Sequence, residues 1–113
     1  MKNIALRGEV WLINLNPSLG HEQAGKRPAL IISDDLLNQS LAEMVIILPI
    51  TSKNKNIPTH IEINYDFLEM KSYIKTEDIR AISVNRLIKR LGMVEGQILD
   101  HVSECIKMLL GFS

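Results

Sequence analysis

Three short runs, Glu9 to Leu15 (EVWLINL), Pro28 to Ser33 (PALIIS) and Met44 to Ile50 (MVIILPI), are apolar at nearly every position. They are short for helices and rich in β-branched residues, so each reads as a strand buried on both faces. A chain of 113 residues can hide three such strands only by wrapping them in a small barrel or sandwich. Splitting it would leave halves too small to bury a core, so residues 1–113 are expected to form one domain. Val, Leu and Ile carry most of the 46% apolar content that fills this interior.

The rest of the chain fits the same plan. Asn16-Pro17-Ser18-Leu19-Gly20 supplies turn chemistry after the first strand. Pro28 sits at the start of the second, where a missing donor is tolerated. Ser33-Asp34-Asp35 offers N-caps for a short helix through Leu36, Leu37 and Leu41. Thr59 to Asn64 alternates polar and apolar, as a strand with one wet face does. Ser72–Thr76 and Ile79–Ile82 read as further strand pieces, Val84–Ile88 as a helical turn and Leu91–Val94 as a last short strand. Ile98, Leu99, Val102, Cys105, Ile106, Leu109 and Leu110 recur at helical spacing, which predicts an amphipathic helix from Glu95 to Leu110. The expected class is mainly β, or β-rich α+β. Its form is a small SH3-like antiparallel barrel with short helices and a C-terminal amphipathic helix. Such an architecture fixes no function.

Cys105 is the single cysteine, and its apolar neighbours mark it as a small buried hydrophobe. The start, MKNIALRGEV, lacks a continuous apolar signal region, and no run approaches the roughly 18 residues of a membrane span. A soluble, cytoplasmic protein is expected. Aromatics make up 4%, too few for a broad nucleic-acid stacking platform.

Thirteen basic residues balance thirteen acidic ones, yet they are unevenly spread. Between Lys71 and Arg90, six basic residues (Lys71, Lys75, Arg80, Arg86, Lys89, Arg90) face only Glu77 and Asp78, a net +4. Lys26, Arg27, Lys53 and Lys55 lie in the loops after the first and third strands. Converging on one rim, these would make a cationic groove suited to phosphates. Charge alone favours a solvated mixed-charge surface.

The segment Gly20–Ser33, GHEQAGKRPALIIS, is less easily dismissed. It packs His21, Glu22, Gln23, Lys26 and Arg27 between two glycines and a proline, more acid, base and cation than a connector needs. Arg27 precedes Pro28, which biases it toward an extended backbone. A guanidinium grips phosphate oxygens bidentately. Cleavage of RNA without a metal uses the 2′-hydroxyl as nucleophile. It needs a base for that proton, an acid for the leaving 5′-oxygen and cations for the charged phosphorane. His21 and Glu22 are candidates for the proton transfers and Arg27 for the clamp. A metal site is not expected. His60 and Glu62 share a strand face without a third ligand, and a strand-surface pair accounts for them better. His101 falls on the polar face of the last helix.

The run Arg7-Gly8-Glu9-Val10-Trp11-Leu12-Ile13, then Asn16-Pro17, then Gly20 through Ser33, resembles the MazF/PemK/Kid family of toxin endoribonucleases. Pro49-Ile50-Thr51-Ser52, then Glu77-Asp78-Ile79-Arg80-Ala81-Ile82 followed by Arg86-Leu87, are similar to later family segments. The resemblance implies metal-independent, sequence-specific cleavage of single-stranded RNA, chiefly messenger, leaving a 2′,3′-cyclic phosphate and a 5′-hydroxyl. It implies no cofactor, a homodimer, and a cognate antitoxin whose acidic tail occupies the RNA groove.

Within the family, one scheme gives the chemistry to the positions matched by Arg27 and Thr51. Another uses an Asp base, an Arg acid and a His stabiliser, matched here by Glu77, Lys75 and His21. Two of those three are altered, and Asp78 stands where Gln is usual. The implied catalytic set is Arg27, Thr51, His21, Glu77 and Lys75, with Glu22 as a positioning or relay group. Gln23, Lys26, Ser52, Lys53 and Arg80 are expected to bind RNA. The alternatives are a gyrase-poisoning toxin of the same fold, as in CcdB, and an RNA-binding relative that no longer cuts. The first depends on a Trp-Gly-Ile ending, whereas this chain reads Gly111-Phe112-Ser113.

Overall fold

The computed structural model describes residues 4–16 and 25–112. Seven strands and two helices follow in the order β1 (Glu9–Asn14), β2 (Lys26–Ile31), α1 (Asp35–Asn38), β3 (Met44–Thr51), β4 (His60–Ile63), β5 (Ser72–Lys75), β6 (Arg80–Ser83), β7 (Leu87–Met93) and α2 (Gly96–Leu110). Short 3-10 turns, Thr76–Asp78 and Val84–Arg86, flank β6. The mainly β expectation holds. The strands pair antiparallel in the order β4-β5-β3-β2-β1-β7, with β6 on β3. The expected SH3-like antiparallel arrangement is present, and among the described residues β4 and β7 do not pair, so the sheet is not closed.

The apolar runs explain this layout. Along β1, β2 and β3, alternate residues enter two separate cores. Trp11, Ile13, Ala29, Ile31, Val45 and Ile47 join one cluster with Ile82, Val84 and Leu87. Val10, Leu30, Leu48 and Ile50 join another with Ile61, Ile63 and Ile74, which Val102 and Cys105 of α2 cover. A strand filled on both faces loses its alternation of polar and apolar residues, which is why these runs read as continuous. Burying each such Ile or Leu stabilises by about 1.5–3 kcal/mol. β4 keeps the expected wet face, with Ile61 and Ile63 buried and Glu62 exposed. Cys105 is buried, and that burial together with the neighbouring Glu104 charge pushes its thiol pKa up.

Several boundaries differ from expectation. Asp34 caps α1 by accepting the Leu36 amide at 2.8 Å, but the helix ends at Asn38 and Leu41 is 97% exposed. Pro28 lies inside β2, opposite Leu12. β7 starts at Leu87, because Ile13 of β1 already supplies it with a partner there, in a ladder with two register shifts. α2 follows the predicted span with Glu95 at its N-cap, yet its stripe is buried only as far as Ile106, and Leu109 and Leu110 are exposed.

Glu9 is a buried acid that periodicity did not explain. One carboxylate oxygen accepts the Leu6 amide at 2.7 Å and the Trp11 indole N–H at 3.1 Å, and the other pairs with Arg90. Burial alone would raise its pKa. The Leu6 amide, the indole and Arg90 outweigh that and hold it below the ordinary 4.5. A depressed folded-state pKa adds stability that is present above the unfolded value and is lost as pH falls through the folded one. Glu9→Gln should therefore flatten the acid limb of the stability curve. Urea midpoints of the two proteins at about pH 7 and about pH 3 check this, and parallel losses would refute it.

Candidate functional site

Hydrogen-bond register brings two of the candidate residues together. β2 and β3 pair as Ala29–Pro49, Leu30–Leu48 and Ile31–Ile47. Continuing that register two residues beyond Ala29 and Pro49 sets Arg27 across from Thr51. The ladder stops short of them. β2 runs on with β1, pairing Arg27 with Ile13, while β3 runs on with β5, pairing Thr51 with Tyr73. The two strands thus part at the level of Arg27 and Thr51, and a groove of about 470 Å³ is lined there by both residues.

Lys26, Ser52 and Lys89 line the same groove, with Glu69 as its one acid among the described residues. Thr51 is only 6% exposed, and its hydroxyl oxygen accepts the Lys53 amide at 3.2 Å. That bond orients the hydroxyl and leaves its proton to be donated elsewhere. The base of the preceding segment is closed at residues 14–16 and 25. Leu15 N–H donates to the Gly25 carbonyl and Gly25 N–H to the Asn16 side chain, both at 2.9 Å. Gly25 has φ 81°, a conformation that favours glycine. His21, Glu22 and Gln23 lie outside the described residues.

The expected convergence of the other cations does not occur. Lys75 and Arg80 both approach the Asp78 carboxylate, at 3.7 and 3.1 Å. Asp78 is thereby neutralised, and its charge is not turned on the groove. Arg86 donates to two backbone carbonyls, and Arg90 is paired with Glu9. Lys53 and Lys55 are exposed and do not line the groove. Of the charged block only Lys89 reaches it.

Glu77 is engaged elsewhere. His60 Nε2 lies 2.7 Å from one of its oxygens, and the Thr59 hydroxyl donates to the other at 3.0 Å. Burial would raise its pKa, but its own backbone amide, His60 and Thr59 lower it below 4.5. It therefore stays ionised and is a weak base. His60, expected to share a strand surface with Glu62, is instead turned inward, its side chain only 3% exposed. Register explains the choice, since β4 pairs His60 with Lys75 and the Thr76–Asp78 turn follows directly. Among the described residues no three His, Cys, Asp or Glu side chains cluster as metal ligands.

Sequence reasoning left the connection between β4 and β5 unassigned, yet Phe67, Leu68, Glu69 and Met70 from it line the groove. The available signal was compositional. Tyr65 and Phe67 are two of only five aromatic residues in the chain.

Comparison with known proteins places this geometry. Residues 6–110 match the model of the PemK-like, MazF-like toxins of type II toxin–antitoxin systems. Endoribonuclease EndoA of Bacillus subtilis is 35% identical over 112 residues, 95% of each chain. Endoribonuclease MazF of Staphylococcus saprophyticus is 38% identical over 109 residues, 93% of this chain and 90% of that one. The crystal structure of MazF from Deinococcus radiodurans superposes with a TM-score of 0.88 at 25% identity, covering 97% of this chain and 99% of that one. The MazE–MazF crystal structure from the same organism gives 0.81 at 26% identity, covering 98% and 99%. With the family's model matched over residues 6–110 and a curated relative 35% identical across 95% of each chain, the chain belongs to the PemK-like, MazF-like family of toxins of type II toxin–antitoxin systems.

Proposed function

We propose that this chain is the toxin of such a system and cleaves single-stranded RNA, chiefly messenger, without a metal. The observation that carries the reading is the joint placement of Arg27 and Thr51 in one groove with Lys26 and Lys89. The substrate's 2′-oxygen attacks the adjacent phosphorus and loses its proton, while the bond from phosphorus to the 5′-oxygen breaks and that oxygen gains a proton. The products are a 2′,3′-cyclic phosphate and a 5′-hydroxyl. Arg27 is suited to hold the phosphorane oxygens, because a guanidinium offers them parallel charged donors. Thr51 adds a neutral donor from a fixed position. Lys26, Lys89 and Ser52 bind flanking phosphates, and His21 or Glu22 exchanges the protons.

Glu77 and Lys75 are assigned to structure, since outside the groove Glu77 is held by His60 and Thr59 and Lys75 lies beside Asp78. Glu77→Gln should therefore change kcat by less than about five-fold, whereas loss of a general base costs about a hundred-fold or more. A collapse of kcat in a folded variant would restore the scheme with Glu77 as base.

The partner is an antitoxin whose acidic tail competes with RNA for the same cationic groove. Related structures include MazF with MazE, and an endoribonuclease with its cognate antitoxin. The working unit is a homodimer in the cytoplasm. Exposed Met108 and Phe112, at 75% and 66%, offer apolar surface for association, and no helix among the described residues is long and apolar enough to cross a membrane. Incubation with RNA in EDTA, followed by primer extension, tests the activity and reads the target together. Discrete stops with 5′-hydroxyl ends are expected. Intact RNA together with inhibition of DNA gyrase would overturn the reading.

A further inference from the structure

The groove also carries an apolar wall, which runs alongside its cations, since Leu12 pairs with Lys89 in the β1–β7 ladder. Phe67 and Met70, from the β4–β5 connection, line it together with Leu12 of β1 and Leu91 of β7. This wall is built with some care. The Tyr65 hydroxyl accepts the Glu95 amide at 3.0 Å, and Leu68 N–H donates to the Tyr65 carbonyl at 3.0 Å. The rings of Tyr65 and Phe67 stack, with centroids 5.0 Å apart and planes inclined by 12°. Phe67 fills the space a side chain on Gly92 would need, since a Cβ there would stand 2.3 Å from the ring. Trp11 and Tyr73 are buried in the sheet and Phe112 follows α2, so Phe67 is the aromatic of this chain that reaches the groove.

A single-stranded nucleotide carries its phosphate and its base one sugar apart. A groove that holds the phosphate must therefore meet the base within the length of one nucleotide. The cations Lys26, Arg27 and Lys89 suit the backbone, and the apolar surface suits the face of an unstacked base. Glu69 fixes the direction, because a carboxylate on the loop side repels phosphates and favours a strand whose backbone follows the lysines.

We infer that Phe67, Met70, Leu12 and Leu91 form a nucleobase subsite for the nucleotide flanking the scissile phosphate. The inference rests on the nuclease reading above. With few aromatics the chain builds no platform for many bases, and this groove concentrates its stacking capacity on one.

The test uses a short RNA containing the target read by primer extension, and a series in which single flanking positions are abasic. With the unaltered protein, one abasic position should raise KM about ten-fold, the usual worth of one base on an aromatic wall. Phe67→Leu keeps apolar bulk but removes the ring, and should abolish that difference, so that intact and abasic RNAs share one raised KM with kcat little changed. Gly92→Ala, which displaces the ring from the β7 side, should do the same. If Phe67→Leu fails to fold, Met70→Ala at a position 57% exposed carries the same measurement. An abasic penalty that persists unchanged in these variants overturns the subsite. So does unchanged RNA cleavage combined with weakened binding of an acidic apolar peptide, which would assign the wall to the antitoxin. Failure of the unaltered protein to cut any RNA overturns the nuclease reading instead, and the subsite with it.

Discussion

Replacing Arg27 with alanine lowers the rate of metal-free RNA cleavage by at least about two orders of magnitude, the usual cost of removing one preorganised charge-stabilising group. The expectation rests on what the groove puts beside Arg27. Thr51, Ser52, Lys26 and Lys89 line it too, but Thr51 and Ser52 are neutral and lysine is a point charge without a planar fork. None of them reproduces two parallel donors to one phosphorane. The loss should fall on kcat, because the charge being stabilised develops only as the phosphorus becomes five-coordinate. Binding of uncleaved RNA should weaken much less, with Lys26 and Lys89 still present. Arg27→Lys should recover part of the rate and not all of it. The control is stability: Arg27 is only partly buried, so the urea midpoint should fall by far less than the rate does. Near-normal cleavage by folded Arg27→Ala would remove Arg27 from the chemistry and return the choice to the residues of the Gly20–Gln23 stretch.

Much of this arrangement was written in the local sequence, and the missing part was non-local. The runs EVWLINL, PALIIS and MVIILPI declared buried strands because both faces of each enter a core, a property each strand carries by itself. The C-terminal helix declared itself by its own period. Sheet closure is different, since it depends on whether β4 meets β7, and no run of residues encodes that. Side-chain partnership was illegible for the same reason. Lys75, Arg80, Arg86 and Arg90 looked like one basic face along the chain. Their positions on β5, β6, β7 and the turn before β7 send Lys75 and Arg80 to Asp78, Arg86 to the end of β1 and Arg90 to Glu9. His60 and Glu77, seventeen residues apart, meet only because the β4–β5 ladder brings them together. The joining of Arg27 to Thr51 was implied by resemblance, and the β2–β3 register supplies its physical cause.

Arg86 is where that non-local wiring reaches the site. It ends the Val84–Arg86 turn, and its Nη1 donates to the carbonyls of Asn14 at 2.9 Å and Asn16 at 2.7 Å. Both acceptors stand where β1 ends. Ile13, one residue earlier, pairs with Leu87 on one side and Arg27 on the other. A single guanidinium thus pins the strand end against which Arg27 is aligned. Arg86→Ala removes both bonds. Hydrogen bonds from charged donors are worth about 1.5–3 kcal/mol each when buried, and partial exposure here reduces the loss to roughly 1–2 kcal/mol in total. The larger effect should be kinetic. A shift of about 1 Å at Arg27 can cost about a hundred-fold, so kcat is expected to fall about ten- to a hundred-fold with KM little changed. Stability loss alone would not produce that split. The double variant separates the routes, because Arg86 acts on the reaction through Arg27. Once Arg27 is alanine, removing Arg86 should slow cleavage by less than about three-fold. Fully multiplicative losses in the double variant would show that Arg86 works through the 17–24 segment or through stability, and not through the alignment of Arg27.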